Sequence, residues 1–413
     1  MATDIGTDEL ELLHSIDGRA AAMLESVQLL SNINSGSFNK SGIRKVHEVL
    51  SALFHEISEQ HEQITLDPMS LIEDDGSTSL FTPEPMQIFR ARPNAALQIL
   101  CTGHSDTVFP SDTHFNKAWI DKDKLRGPGT ADMKGGLIVL LESLRGLHSS
   151  SFAEHFGFTV AISPDEEIGS ICSAPVLTSL AKSADFGLTY EPALADGTMA
   201  GSRKGSGNFV ITAKGLSSHA GRDFFAGRNA VVAIARAAAL LSDLSDKETG
   251  VTVNIGKIIG GGPVNVVPDQ AMCRFEVRFK SLEQQALIER QIHHIIDDTV
   301  TISRCDLQLH GGFYRPPKPI TEQQNAMLTM LHRCGEKLDI PIRWQATGGC
   351  CEGNNLAAAG LPNIDTLGVC GANIHSDAEY AVIDSFVERA KLSALFVTEL
   401  ITANIKATRM QQC

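Results

Sequence analysis

Acidic and imidazole side chains recur at one kind of place in this chain, directly after short apolar runs. ILCT (99–102) leads to His104 and Asp106, and TVAIS (159–163) leads to Asp165, Glu166 and Glu167. FGLTY (186–190) leads to Glu191. NIDTLG (363–368) leads, across a short glycine loop, to His375. Asp132 stands in GPGTADMKGG, just ahead of an apolar helical stretch. In open α/β sheets, groups that follow strands collect along the carboxyl rim, where ligands bind. Two histidines and three carboxylates suit zinc, with cobalt or manganese as alternatives. They are too few for two separate closed sites. They suffice for two ions if one carboxylate bridges and water fills the rest. Such ion pairs sit roughly 3.5–4 Å apart and clamp a water for hydrolysis. Without cations, three converging carboxylates would raise one another's pKa. Asp106, two residues past His104 on the same strand face, is placed to hold the imidazole tautomer.

Each residue alone has a blander reading. Asp132 fits a helix N-cap. The glutamate pair fits a solvated turn, Glu191 a surface position, and the histidines hydrogen-bonded strand-end or loop positions. The metal reading rests on the set, with its members following one apolar strand after another.

The elements that must position these groups alternate. Helical patterns at 9–31 and 41–59 precede strands at 94–102, 156–163 and 185–190, with helices at 135–147 and 174–182 between them. This βαβ rhythm predicts a mostly parallel sheet with helices on both faces. From about 205 to 315 the rhythm changes to strand, helix, strand, strand, helix, strand, ending in TISRCDLQLHGG (301–312). That βαββαβ order predicts a ferredoxin-like unit. A helix at 321–338, strands at 340–346 and 362–368, and a helix from 385, with Ser385 and Glu388 fitting a capping box, then resume the first pattern. The expected organisation is an α/β domain of residues 1–203 and 317–413, interrupted by an inserted domain of 204–316.

With 413 residues, 43% apolar and 20% charged, the chain has the composition of a large globular protein. Its net charge, 35 − 49 = −14, argues against nucleic acid or an anionic membrane as partner. No apolar stretch reaches the roughly 20 residues of a membrane span, and the acidic opening MATDIGTDELELL does not read as a secretory signal. Nine cysteines without repeating spacing read as reduced thiols in a cytoplasmic protein. Adjacent Cys350 and Cys351 read as small packing residues of a tight loop.

GHSDTV, GPGTADMKGG, DEEIGS, YEPA, SSHAG and IHSDAEY, in this order, resemble the co-catalytic zinc peptidases and amidohydrolases. That family includes glutamate carboxypeptidase, acetylornithine deacetylase, succinyl-diaminopimelate desuccinylase and aminoacylase; the glutamate carboxypeptidase branch looks closest. The resemblance runs from about residue 95 onward. It implies that His104, Glu191, Glu167 and His375 bind two metals bridged by Asp132, and that the Asp132–Met133 peptide is cis. It implies Asp106 behind His104 and Glu166 as general base on the bridging water. It implies a homodimer joined through the inserted domain, in which His219 reaches the partner's site. Asn265, Arg278 and Arg315 would contact substrate, the two arginines suiting a carboxylate. The resemblance further implies a small peptide or N-acyl amino acid as substrate, with an amide beside a free carboxylate.

The sequence departs from the family at 347–355, TGGCCEGNN, where relatives of the carboxypeptidase branch usually carry Gly-Gly-Gly-Ser/Thr-Asp. Because that loop lines the substrate pocket, the departure bears on specificity. Three other readings stand beside carboxypeptidase: a deacylase of the acetylornithine or desuccinylase type, a catalytically silent binding relative, and a Cys350 or Cys351 hydrolase, which would need a histidine base beside the thiol.

Overall fold

The computed structural model describes residues 5–412, with side chains along the last helix as far as Asn404. Residues 1–4 of the acidic opening and Cys413 lie outside the described residues. Helices α1 (Thr7–Asp17), α2 (Ala20–Ser31) and α3 (Lys40–Phe54) come first. The single helix expected over 9–31 is broken at Gly18-Arg19, where the Arg19 guanidinium turns to the Glu142 carboxylate at 2.9 and 3.1 Å. Strands β1 (Gln60–Ile64), β2 (Met86–Ala91) and β3 (Gln98–His104) lead to α4 (Lys134–His148). Strand β4 (Gly157–Ser163), α5 (Ala174–Ala181) and β5 (Phe186–Thr189) follow.

The inserted segment contains β6 (Gly205–Lys214), α6 (Ala230–Ser242), β7 (Thr252–Gly260), β8 (Gln270–Phe279), α7 (Leu282–Ser303) and β9 (Asp306–Arg315). Then come α8 (Glu322–Lys337), α9 (Glu352–Ala358), the short β10 (Asn363–Ile364) and α10 (Ser385–Gln412). The Ser385 capping box does not form. Its Oγ instead donates to the Val382 carbonyl and accepts from the Cys370 N–H.

The main sheet runs β1-β2-β4-β3-β5-β10. Pairings from β4 across β3 and β5 to β10 are parallel, and the β1-β2-β4 edge is antiparallel. Both faces are covered, as parallel strands require. On β3, Ile99 and Cys101 join the core formed with α3, α4 and α10, while Leu100 faces the smaller core formed with α5 and α9. Helix α4 lies against β5 closely enough that a Cβ at Gly136 would sit 1.9 Å from the Tyr190 carbonyl oxygen.

The inserted sheet is antiparallel with order β7-β8-β6-β9, the ferredoxin-like arrangement, and has its own core against α6 and α7. Helix α7 runs through 303, over the start of the strand expected at 301–312. Thr299, Thr301 and Ser303 bond back to carbonyls four residues earlier, and Arg304 closes the helix at φ 55°. A hairpin (Met69–Ile72 with Thr78–Phe81) crosses to this sheet, where the Asp74 carboxylate meets Lys257 at 2.6 Å and Arg274 at 3.3 Å. No helix among the described residues is long and apolar enough to cross a membrane. The eight described cysteines are free thiols.

Candidate active site

His104 ends β3 at its carboxyl rim, fully buried. Its Nδ1 lies 3.0 Å from the Asp106 backbone carbonyl, which can only accept, so Nδ1 carries the proton. Its Nε2 faces two carboxylates, Asp132 Oδ1 at 3.2 Å and Glu191 Oε1 at 3.8 Å. On the other side of Asp132, His375 Nε2 lies 3.2 Å from Asp132 Oδ2 and 3.2 Å from Glu167 Oε2. Two triads result, His104–Asp132–Glu191 and Asp132–Glu167–His375, sharing one aspartate whose two oxygens face different imidazoles.

This donor set fits a pair of divalent cations. Burial opposes a charge on His104, yet the carboxylates around its ring hold the imidazole well above its ordinary range, so the cluster calls for positive charge at its centre. Glu167 Oε1 is buried with no hydrogen-bond partner. Burial, and then the Asp132 charge, push the Glu167 carboxyl up to about 8 and Glu191 well above the carboxylate range. Burial opposes ionisation of Asp132 too, yet the flanking imidazoles hold it below its usual value.

Neighbouring polar groups fix this frame. Asp106 was expected to orient His104 through its carboxylate. Its backbone carbonyl, at 3.0 Å, and its carboxylate Oδ1, at 3.3 Å, both face Nδ1. The carboxylate also accepts from Ser37 Oγ (2.7 Å) and from the N–H groups of Glu166 and Glu167, both at 3.1 Å. It thereby pins the glutamate pair to the end of β3. Glu379 Oε1 accepts the N–H groups of Ala131 and Asp132 at 3.0 and 3.1 Å. The Asp132–Met133 peptide is cis. His375, at φ 63°, lies in the loop between Cys370–Ala372 and Tyr380–Val382.

A cavity of about 270 Å³ opens on Asp132, Glu166, Glu167, Glu191 and His375. Arg278, Arg203 and Cys350 form part of its far wall. A larger cavity, about 700 Å³, lies between the 69–81 hairpin and the inserted sheet and touches none of the two triads. The smaller one holds the reactive groups, so chemistry belongs there.

Arg278 is partly exposed, bound to the Gly348 carbonyl at 2.5 Å and to Glu276 at 2.6 Å. Arg203 is bidentate to Asp365 at 2.9 and 3.0 Å, and the same carboxylate takes buried Lys318 at 2.7 Å. Arg315 does not line the cavity; it is buried and bound to Glu166. His219 and Asn265 lie together on the inserted domain, joined through the Ala220 N–H to the Asn265 carbonyl. Both are exposed and neither lines the cavity of its own chain.

In the departing loop, Cys350 faces the cavity and donates to the Lys204 carbonyl, while Cys351 is buried and caps α9. Glu352 turns inward to Ser163 Oγ, where burial pushes it up to about 8. Among the described residues, no histidine is a partner of either thiol. The thiol hydrolase reading therefore lacks its base.

The model of peptidase family M20/M25/M40 matches residues 100–399, a span that takes in both triads. The chain belongs to peptidase family M20/M25/M40. This M20/M25/M40 member is a hydrolase with the mixed α/β fold and inserted domain of its relatives. It is 26% identical over 393 residues to carboxypeptidase G2 of Pseudomonas sp. (strain RS-16), covering 92% of this chain and 89% of that one. It is 24% identical over 328 residues to succinyl-diaminopimelate desuccinylase of Bordetella petrii, covering 75% and 82%. The solved structure of a metallo-carboxypeptidase, Sso-CP2 from Sulfolobus solfataricus, superposes with a TM-score of 0.71 at 14% identity, covering 91% of this chain and 98% of that one.

Sequence reasoning left several site residues of this family member without roles. Glu379 lay within a quoted motif, so a signal existed. Ser170 and Asn355 likewise lay within DEEIGS and TGGCCEGNN, but nothing marked Arg315, 145 and 40 positions away, as their partner; Ser37, whose partner is 69 positions away, had no signal.

Proposed function

We propose that this chain is a di-metal amidohydrolase that cleaves an amide beside a free carboxylate, in the manner of a carboxypeptidase. The observation that carries the reading is Asp132, whose two oxygens each lie 3.2 Å from a different imidazole nitrogen. His104, Asp132 and Glu191 would hold one ion; Asp132, Glu167 and His375 the other. Zinc suits this mixed nitrogen and oxygen set, with cobalt or manganese as alternatives. When bound, such a pair activates water and polarises the scissile carbonyl. Glu166 lines the same cavity, is not a member of either triad, and is the group placed to accept the water's proton and return it to the leaving amine. Arg278 is the guanidinium placed to meet the substrate carboxylate. Similarity to desuccinylases favours N-acyl amino acids as a second substrate reading. A silent binding relative is disfavoured because Glu166 and all five ligand candidates are present.

A panel of dipeptides and N-acyl amino acids, with and without chelator, tests the reading. Chelator-sensitive release of a free amino acid supports it. Absence of turnover on every amide beside a carboxylate contradicts it.

We further place the domain boundaries at 203/204 and 316/317, flanking the first and last residues of the inserted sheet, Gly205 and Arg315. The eight free thiols support a reducing, cytoplasmic setting. We also propose a homodimer through the inserted domain, with His219 and Asn265 serving the partner's site. Support comes from their exposure and from the exposed apolar residues around them, Phe224, Phe225, Val232, Val264 and Val266. Mixing inactive Glu166→Ala and His219→Ala chains under conditions of subunit exchange then restores about a quarter of wild-type activity. Half of the dimers are mixed, and each mixed dimer has one intact site of two. Mixtures as inactive as their parents would exclude shared sites.

A further inference from the structure

Arg315 is the last residue of β9, the edge strand of the inserted sheet, and its side chain leaves that sheet for the loop bearing Glu166. Nη2 donates to Glu166 Oε1 at 2.6 Å, to the Glu166 backbone carbonyl at 2.9 Å and to Ser170 Oγ at 3.0 Å. Nη1 donates to Asn355 Oδ1 at 3.2 Å. The side chain is 4% exposed. A guanidinium this deeply buried requires a paired carboxylate, and Glu166 supplies it. To meet a substrate instead, Arg315 would have to surrender four hydrogen bonds. Arg278 has no such constraint: it lines the cavity and remains partly exposed.

The loop is therefore held from two sides. Asp106, at the end of β3, takes the N–H groups of residues 166 and 167. Arg315, at the end of β9, takes the carbonyl and one carboxylate oxygen of residue 166. Glu166 Oε2 is left without a protein hydrogen bond among the described residues, free to handle a proton.

We infer that Arg315 is a positioning residue for Glu166, by which the inserted domain fixes the base in place, and not a reader of the substrate carboxylate. The inference rests on the proposed role of Glu166. It assigns the two arginines different work: Arg278 binds, Arg315 orients.

Kinetics of Arg315→Ala, Arg315→Lys, Ser170→Ala and Arg278→Ala on a hydrolysed amide and on its carboxamide analogue separate these roles. Misplacing a base by about 1 Å costs on the order of 10²-fold. Arg315→Ala should lower kcat by about that factor, leave KM within twofold, and keep the wild-type preference for carboxylate over carboxamide. Lysine, which keeps the charge but loses the fork, should fall between, and added guanidinium should partly rescue the alanine variant. Ser170→Ala, which keeps the ion pair, should lower kcat only a few-fold, giving a reading even if Arg315→Ala does not fold. Arg278→Ala should raise KM and erase the carboxylate preference. An Arg315→Ala or Arg315→Lys enzyme that raises KM, keeps kcat and loses the carboxylate preference overturns the inference. A wild-type enzyme indifferent to Glu166→Gln overturns it differently, by removing the base itself.

Discussion

Replacing Glu166 with glutamine is expected to lower kcat by about 10²–10⁴-fold, the range of a positioned general acid–base group. The amide of glutamine is nearly isosteric with the carboxylate. It can still accept from Arg315 through its oxygen, and its backbone N–H still reaches Asp106. The fold, the metal ligands and the cavity shape should therefore survive, while the capacity to take a proton is lost. Steady-state kinetics with a metal assay on the same sample make the distinction. KM and metal content should stay near wild type as kcat collapses. A variant within tenfold of wild type would remove Glu166 from its role.

Stripping divalent ions is expected to cost both activity and stability. Activity should fall at least about 10³-fold, because several kcal/mol of transition-state charge stabilisation come from the ions. Without cations, Glu167 and Glu191 are pushed toward the protonated form by burial and by Asp132. Ligands present at a thousandfold excess over Kd stabilise a fold by about 4 kcal/mol. The chelated protein should therefore melt at lower temperature, and readdition of zinc should reverse both effects. Asp132→Asn weakens both triads at once and should mimic chelation, while Glu191→Gln touches only one triad. Thermal melts with and without chelator, on wild type and Asp132→Asn, check this. An unchanged melting transition in the chelated wild type would mean that the carboxylates converge for another reason.

Much of this site was legible because the main-sheet strands are apolar runs whose ends are marked by charge. β3, β4 and β5 needed no more than their hydrophobic stretches, and His104, Glu166, Glu167 and Glu191 followed as what comes next along the rim. Helix α4 and the order of the inserted sheet were legible for the same reason. Other features were not. The 69–81 hairpin, inside MSLIEDDGSTSLF, has strands of four residues and a polar turn, too short for periodicity to register. The expected strand at 362–368 shrinks to Asn363–Ile364, because Asp365 turns into the core to neutralise Arg203 and Lys318. The resemblance marked Arg315 as a substrate contact. Only packing reveals that its guanidinium is already spent on Glu166.

The measurement that bears most directly on the account is an anomalous-difference map from crystals grown with zinc, collected on both sides of the absorption edge. Two peaks per chain should flank Asp132, one contacted by His104 and Glu191 and the other by Glu167 and His375. A single peak, or peaks only away from Asp132, would contradict it.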